Sequence, residues 1–164
     1  MDIVKRIRAD HPTKGLWFRV SATDFCEHLE EKSWDISETL KLAKLLDQEK
    51  VDVLDVSGGG NSPQQQIKPQ AGYQLGFAAE IKKLQGLKML VGAVGMMEGD
   101  SQHPGQFAEE ALQEGKADLI FLARSLMTHP TFAEDAAVEL MGVRTAENPQ
   151  YHRGKSSTGS GRQA

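Results

Sequence analysis

Residues 117–127 read ADLIFLARSLM. Leu119, Ile120, Phe121 and Leu122 form an apolar run compact enough for one buried strand, and Arg124 follows almost at once. A guanidinium so close to buried backbone is costly unless an anion meets it. In α/β sheets and barrels ligands lie beyond the carboxyl ends of the strands, where a cation such as Arg124 would meet them. The anion implied at Arg124 is then a bound group.

Working outward, similar runs lie at 16–21 (LWFRVS), 51–57 (VDVLDVS) and 88–94 (KMLVGAV). Each is mostly continuous in apolar character, which predicts parallel strands covered on both faces. Helical segments are expected between them. In 36–50, Ile36, Leu40, Ala43 and Leu46 share one face, with Asp35 as N-cap and Glu38 placed for a capping box. Segments 74–84, 105–113 and 130–141 carry comparable apolar faces, with Gly115 and Gly142 as stops. Residues 2–9 form a short helix ahead of the first strand. The order is one helix and then four βα units, spaced as βαβ crossovers require. Two folds accept it, a doubly wound sheet or half of a (β/α)8 barrel, since a whole barrel takes about 250 residues.

The chain has 164 residues, 39% of them hydrophobic, so it can bury a core. Its net charge of −4 argues against nucleic-acid or membrane-surface partners. No apolar run is long enough to span a bilayer, and the first residues lack a signal-peptide core. Cys26, the single cysteine, excludes an internal disulfide and a multi-cysteine metal site. The chain reads as a cytoplasmic protein of one domain over 1–154, with a polar, disordered tail over 155–164.

The unusual residues cluster at the predicted strand ends. Arg19 stands near the end of the first, SGGGN (57–61) ends the second, GAVG (92–95) ends the third, and Ala123 and Arg124 end the fourth. Glycine admits close approach of backbone N–H groups, and arginine offers a bidentate fork, so together they form a phosphate clamp. Each feature also has a plain structural explanation: a flexible loop, a tight turn, or an arginine paired with Asp55 or Glu98. Consecutive placement favours the clamp without identifying the ligand. The five histidines show no metal-ligand spacing, Cys26 reads as an ordinary loop cysteine, and Met96 and Met97 as packing residues.

The ordered set RVSATDF (19–25), VDVLDVSGGG (51–60), AGYQLGFAAEIK (71–82), VGAVGMM (91–97), AEEALQEGKADLIFLARSLMTHPTFA (108–133) and NPQYHRGK (148–155) resembles the C-terminal half of the Old Yellow Enzyme family, in its thermophilic-like and fungal NADH:flavin oxidoreductase branch. The resemblance implies an FMN-binding (β/α)8 TIM barrel of which this chain supplies strands five to eight. It implies that Arg19 lies against the pyrimidine side of the flavin. Ser57, Gly58 and Gln74 would lie near the cofactor, Gly92 to Gly95 would form a phosphate loop, and Ala123 and Arg124 would grip the phosphate. Arg153 would reach the active site of a neighbouring subunit. The implied reaction passes hydride from NADPH or NADH to FMN and then to an enone-like alkene. The family's substrate-anchoring histidine pair or His/Asn pair and its tyrosine proton donor belong to the other half, so a fragment, a homo-oligomer or pairing with a complementary half is expected. Two other readings stand beside this one. The chain is then an inactive truncated paralogue acting as an interaction module, or a different phosphate-binding barrel enzyme.

Overall fold

In this computed structural model, residues 1–30 and 32–143 are described. Arg153 and the tail expected over 155–164 lie outside them. The elements run α1 (Asp2–Asp10), β1 (Trp17–Ser21), α2 (Ile36–Gln48), β2 (Val53–Ser57), α3 (Leu75–Lys82), β3 (Leu90–Val94), α4 (Gln106–Gln113), β4 (Leu119–Phe121), α5 (Arg124–Thr128) and α6 (Phe132–Met141). Asp35 caps α2 as expected, its Oδ1 accepting from the N–H of Ser37 and Glu38. The Glu38 carboxylate accepts from Lys41 Nζ rather than closing a capping box.

The four strands are parallel and lie in the order β1-β2-β3-β4. A doubly wound sheet reverses direction at a switch point. Here each strand is added on the same side of the one before it, which is the winding of a barrel wall. The architecture is an α/β arc of four βα units, a partial barrel.

The two faces of the arc differ. Phe18, Val20, Leu54, Val56, Val91, Ala93 and Ile120 point to the helices and join Ala43, Leu46, Ala78, Ile81 and Ala111 in the core. The opposite face carries Trp17, Arg19 and Ser21, Val53, Asp55 and Ser57, Leu90, Gly92 and Val94, and Leu119 and Phe121, as the register requires. The expectation of a sheet covered on both faces is corrected here. Among the described residues no helix covers this second face, and Trp17 is 61% and Leu90 45% exposed. The runs look continuous because a barrel interior is apolar as well as its helix-facing exterior. The outermost strands still meet across it: the Trp17 and Phe121 rings pack edge to face with centroids 5.7 Å apart. The Phe121 ring lies over Gly92, where a Cβ would come within 2.1 Å of it.

The strand run expected to reach Arg124 also stops early. β4 holds three residues, and Arg124 opens α5. As an edge strand β4 is only half-buried throughout.

Aspartates secure the opposite ends of the strands. Asp52 Oδ2 accepts from Leu16 N at 2.7 Å, Asp47 Oδ1 from Lys88 N and Met89 N, and Asp118 Oδ2 from Val91 N at 2.8 Å. Arg8 of α1 joins them: it donates to the Lys14 carbonyl at 2.8 Å, and to the Lys50 carbonyl and Asp52 Oδ2, each at 2.5 Å. These bonds fix the floor of the arc and leave its C-terminal rim to the loops.

Candidate functional site

The rim loops are laced to one another by backbone hydrogen bonds. Ala22 N donates to Ser57 O and Gly59 N to Thr23 O, joining the loops after β1 and β2; Gly72 N donates to Met96 O, joining those after β2 and β3. Gln74, 2% exposed, reinforces the second seam. Its Nε2 donates to Val94 O at 3.3 Å. Its carboxamide lies between two glycines: a Cβ on Gly58 would come 3.1 Å from Oε1, and a Cβ on Gly95 would come 2.2 Å from Nε2. With φ at +104°, Gly95 also holds a backbone conformation that disfavours any side chain.

Gly95, Ala123 and Arg124 come together at the ends of β3 and β4, where they line a cavity of about 170 Å³ with Tyr73 and Gln74. Outside the helix and ladder bonds, the N–H groups of Gly95, Met96, Ala123 and Arg124 donate to no backbone or side-chain group among the described residues. The Arg124 side chain is exposed and has no ion pair or hydrogen bond among the described residues. The pairing with Glu98 that would explain it structurally is not formed, although Glu98 lines the same cavity. A cation with free donors, beside amides with no other partner among the described residues, is an arrangement chemically suited to an anion.

Arg19 stands elsewhere, on the open face of the arc. It sits in register with Asp55, and its Nε donates to Asp55 Oδ2 at 2.5 Å. Asp55 is 6% exposed. Burial pushes its carboxyl above the ordinary value of 3.8, and the Arg19 hydrogen bond and charge pull only partly against this. Asp55 Oδ1 is buried without a hydrogen-bond partner among the described residues, as is Gln74 Oε1. The Arg19 side chain itself is 60% exposed and faces the mouth of the arc.

The sequence-expected residues therefore divide by position. Gly95, Ala123 and Arg124 meet at one cradle, with Gln74 as the bracket behind it. Ser57 and Gly58 sit on the neighbouring strand end, with Gly58 against Phe25 and Gln74. Gly92 is not in the loop at all. It lies inside β3, opposite Asp55 and Leu119, and its missing side chain makes room for Phe121. Cys26 lies in the loop after β1 but is buried, its Sγ 3.4 Å from the Asp24 carbonyl oxygen.

No protein-family model matches the chain. Curated relatives are similar to the chain, three of them as follows. One is an NADH:flavin oxidoreductase of Gibberella zeae, 34% identical over 169 aligned residues, covering 95% of this chain and 40% of that protein. The others are NADPH dehydrogenases: that of Bacillus subtilis is 38% identical over 85% of this chain and 37% of its own length, that of Bacillus pumilus 39% identical over 84% and 37%. The chain thus spans about two fifths of the length of these relatives. Strand winding, the glycine and arginine at adjacent strand ends and these alignments agree, and over the stretch it covers the chain belongs to the NADH:flavin oxidoreductase and NADPH dehydrogenase family, the Old Yellow Enzyme family.

Proposed function

We propose that the chain is the FMN-binding portion of an NAD(P)H-dependent flavin oxidoreductase. The observation that carries this reading is the partnerless Arg124 guanidinium beside Gly95 and Ala123 at the ends of β3 and β4. Riboflavin-type rings need no such cation, whereas a terminal phosphate does. In this reading Arg124 and the amides of Gly95 and Ala123 hold the phosphate, and Gln74 keeps the glycine loop in place. Ser57 and Gly58 border the cofactor on the next strand end. Arg19 faces the ring, where its charge favours the electron-rich form. Asp55 holds that guanidinium in place, and its buried Oδ1 and Gln74 Oε1 are the polar atoms left without partners behind the rim. When bound, FMN supplies the hydride chemistry, from NADPH or NADH to an activated, enone-like alkene. Titrating the chain with FMN and following quenching of flavin fluorescence tests the reading. Saturable 1:1 binding supports it, and no binding up to millimolar FMN removes it.

One observation favours a companion reading, that the chain acts by pairing. Among the described residues β1 and β4 are unpaired edges, and the face between them exposes Trp17 and Leu90. Open edges of parallel sheets associate unless covered. We propose that four further strands close the arc, from a complementary half or from a second copy. Light scattering coupled to size exclusion separates the possibilities: a soluble monomer across a concentration series would count against pairing with itself.

A further inference from the structure

The loops after β2 and β3 and the pair α5 and α6 line a second, larger and open cavity of about 530 Å³, within the range of small-ligand sites. Its apolar walls are Pro69, Met96, Pro104 and Phe132, and two charged side chains line it, Glu98 and Arg124. His129 lines it too, but its Nε2 is held by Asp135 Oδ2 at 2.5 Å. Glu98 and Arg124 are different. Neither has an ion pair or side-chain hydrogen bond among the described residues, with each other or with a neighbour.

An anion and a cation left apart on one apolar chamber complement a ligand that carries both charges. The guanidinium fork matches a carboxylate, and the Glu98 carboxylate matches an ammonium. The four apolar residues take an uncharged body of modest size. A simple carboxylic acid would leave Glu98 facing it without compensation, and a simple amine would do the same to Arg124. We propose that this cavity binds a small apolar zwitterion of the α-amino-acid type.

Arg124 and Glu98 also line the cradle at the end of β3 and β4. One guanidinium cannot grip a phosphate and a carboxylate together, so filling the chamber lowers affinity for FMN. This coupling, unlike the zwitterion site itself, rests on the FMN reading given above.

The probes are 4-fluoro-L-phenylalanine, 3-(4-fluorophenyl)propionate and 4-fluorophenethylamine, followed by fluorine NMR line broadening on the full chain. The amino acid is expected to bind saturably, and each analogue, lacking one charge, about tenfold more weakly. Glu98→Gln should bring the amino acid and the propionate to similar affinities, weakening the first and leaving the second no weaker. Arg124→Ala should weaken both carboxylates, and Arg124→Lys should restore part of each. Circular dichroism checks that each variant is folded. Equal binding of all three probes, or an amino acid indifferent to Glu98→Gln, overturns the site. If Arg124→Ala loses the amino acid but keeps FMN, the chamber stands and the phosphate reading falls; if it loses FMN but keeps the amino acid, the chamber falls.

Discussion

Arg19 and Asp55 are direct neighbours across the β1–β2 ladder, and the exposed guanidinium is held by a carboxylate that is almost wholly buried. Desolvation dominates the aspartate, so its charged form is disfavoured on balance. Its pKa is raised on folding, and the folded state binds its proton more tightly than the unfolded chain does. Stability from this group is therefore full below the ordinary value of 3.8 and is lost as pH rises through the raised value. Asp55→Asn should raise the melting temperature at pH 7, and the gain should shrink as the pH is lowered toward 4. A gain that is constant with pH would show that burial of the charge is not its cause.

Arg124→Ala should weaken FMN binding by roughly 10- to 150-fold, the value of one charge-assisted contact to phosphate. Arg124→Lys should recover only part, since an ammonium lacks the planar fork. Riboflavin has the same ring without the phosphate, and its affinity should barely respond. Parallel losses for both ligands would mean that Arg124 supports the fold.

Two glycines separate backbone strain from crowding. Gly60 and Gly95 both have positive φ, +83° and +104°, but a Cβ on Gly60 meets nothing within 4 Å, while one on Gly95 meets Gln74 Nε2 at 2.2 Å. Gly60→Ala should cost about 1–2 kcal/mol, the strain alone. Gly95→Ala should cost more in urea unfolding, and should weaken FMN as well because Gln74 must move. Equal costs would remove the bracket role of Gln74.

The Arg8 side chain is 16% exposed and ties α1 to the start of β1 and the end of α2. Arg8→Ala should destabilise by about 1.5–3 kcal/mol, the range for hydrogen bonds to charged groups. Arg6, on the same helix and 80% exposed in its pair with Asp10, serves as the control. Arg6→Ala should change stability by less than about 1 kcal/mol. Neither should alter FMN affinity, since both stand at the floor of the arc.

Position along the chain was legible because apolar runs, Asp35 and the stop glycines act locally. Arg124 was legible for the same reason, as a cation too near a buried run to lack a purpose. What was hidden depends on neighbours distant in sequence. Gly92 reads as part of a glycine loop, yet Phe121, 29 positions later, decides that it is a packing glycine. Arg8 sits in a helix rich in charge, and nothing nearby marks it as the residue that reaches Lys50 and Asp52. Strand order is likewise a tertiary fact, so the choice between a barrel wall and a doubly wound sheet needed the ladder pairings.

The exposed indole of Trp17 has an optical use. The chain has two tryptophans, and Trp34 lies away from the open face, its Nε1 donating to Thr39 Oγ1 at 2.7 Å. Trp17 looks out from the arc with only Phe121 against it among the aromatic rings described. Whatever covers that face must move this indole from water into an apolar setting. Its emission will then shift to shorter wavelength, and a nearby flavin would quench it. With Trp34→Phe as the silent background, one fluorophore reports both closure of the arc and arrival of the cofactor, with no added label.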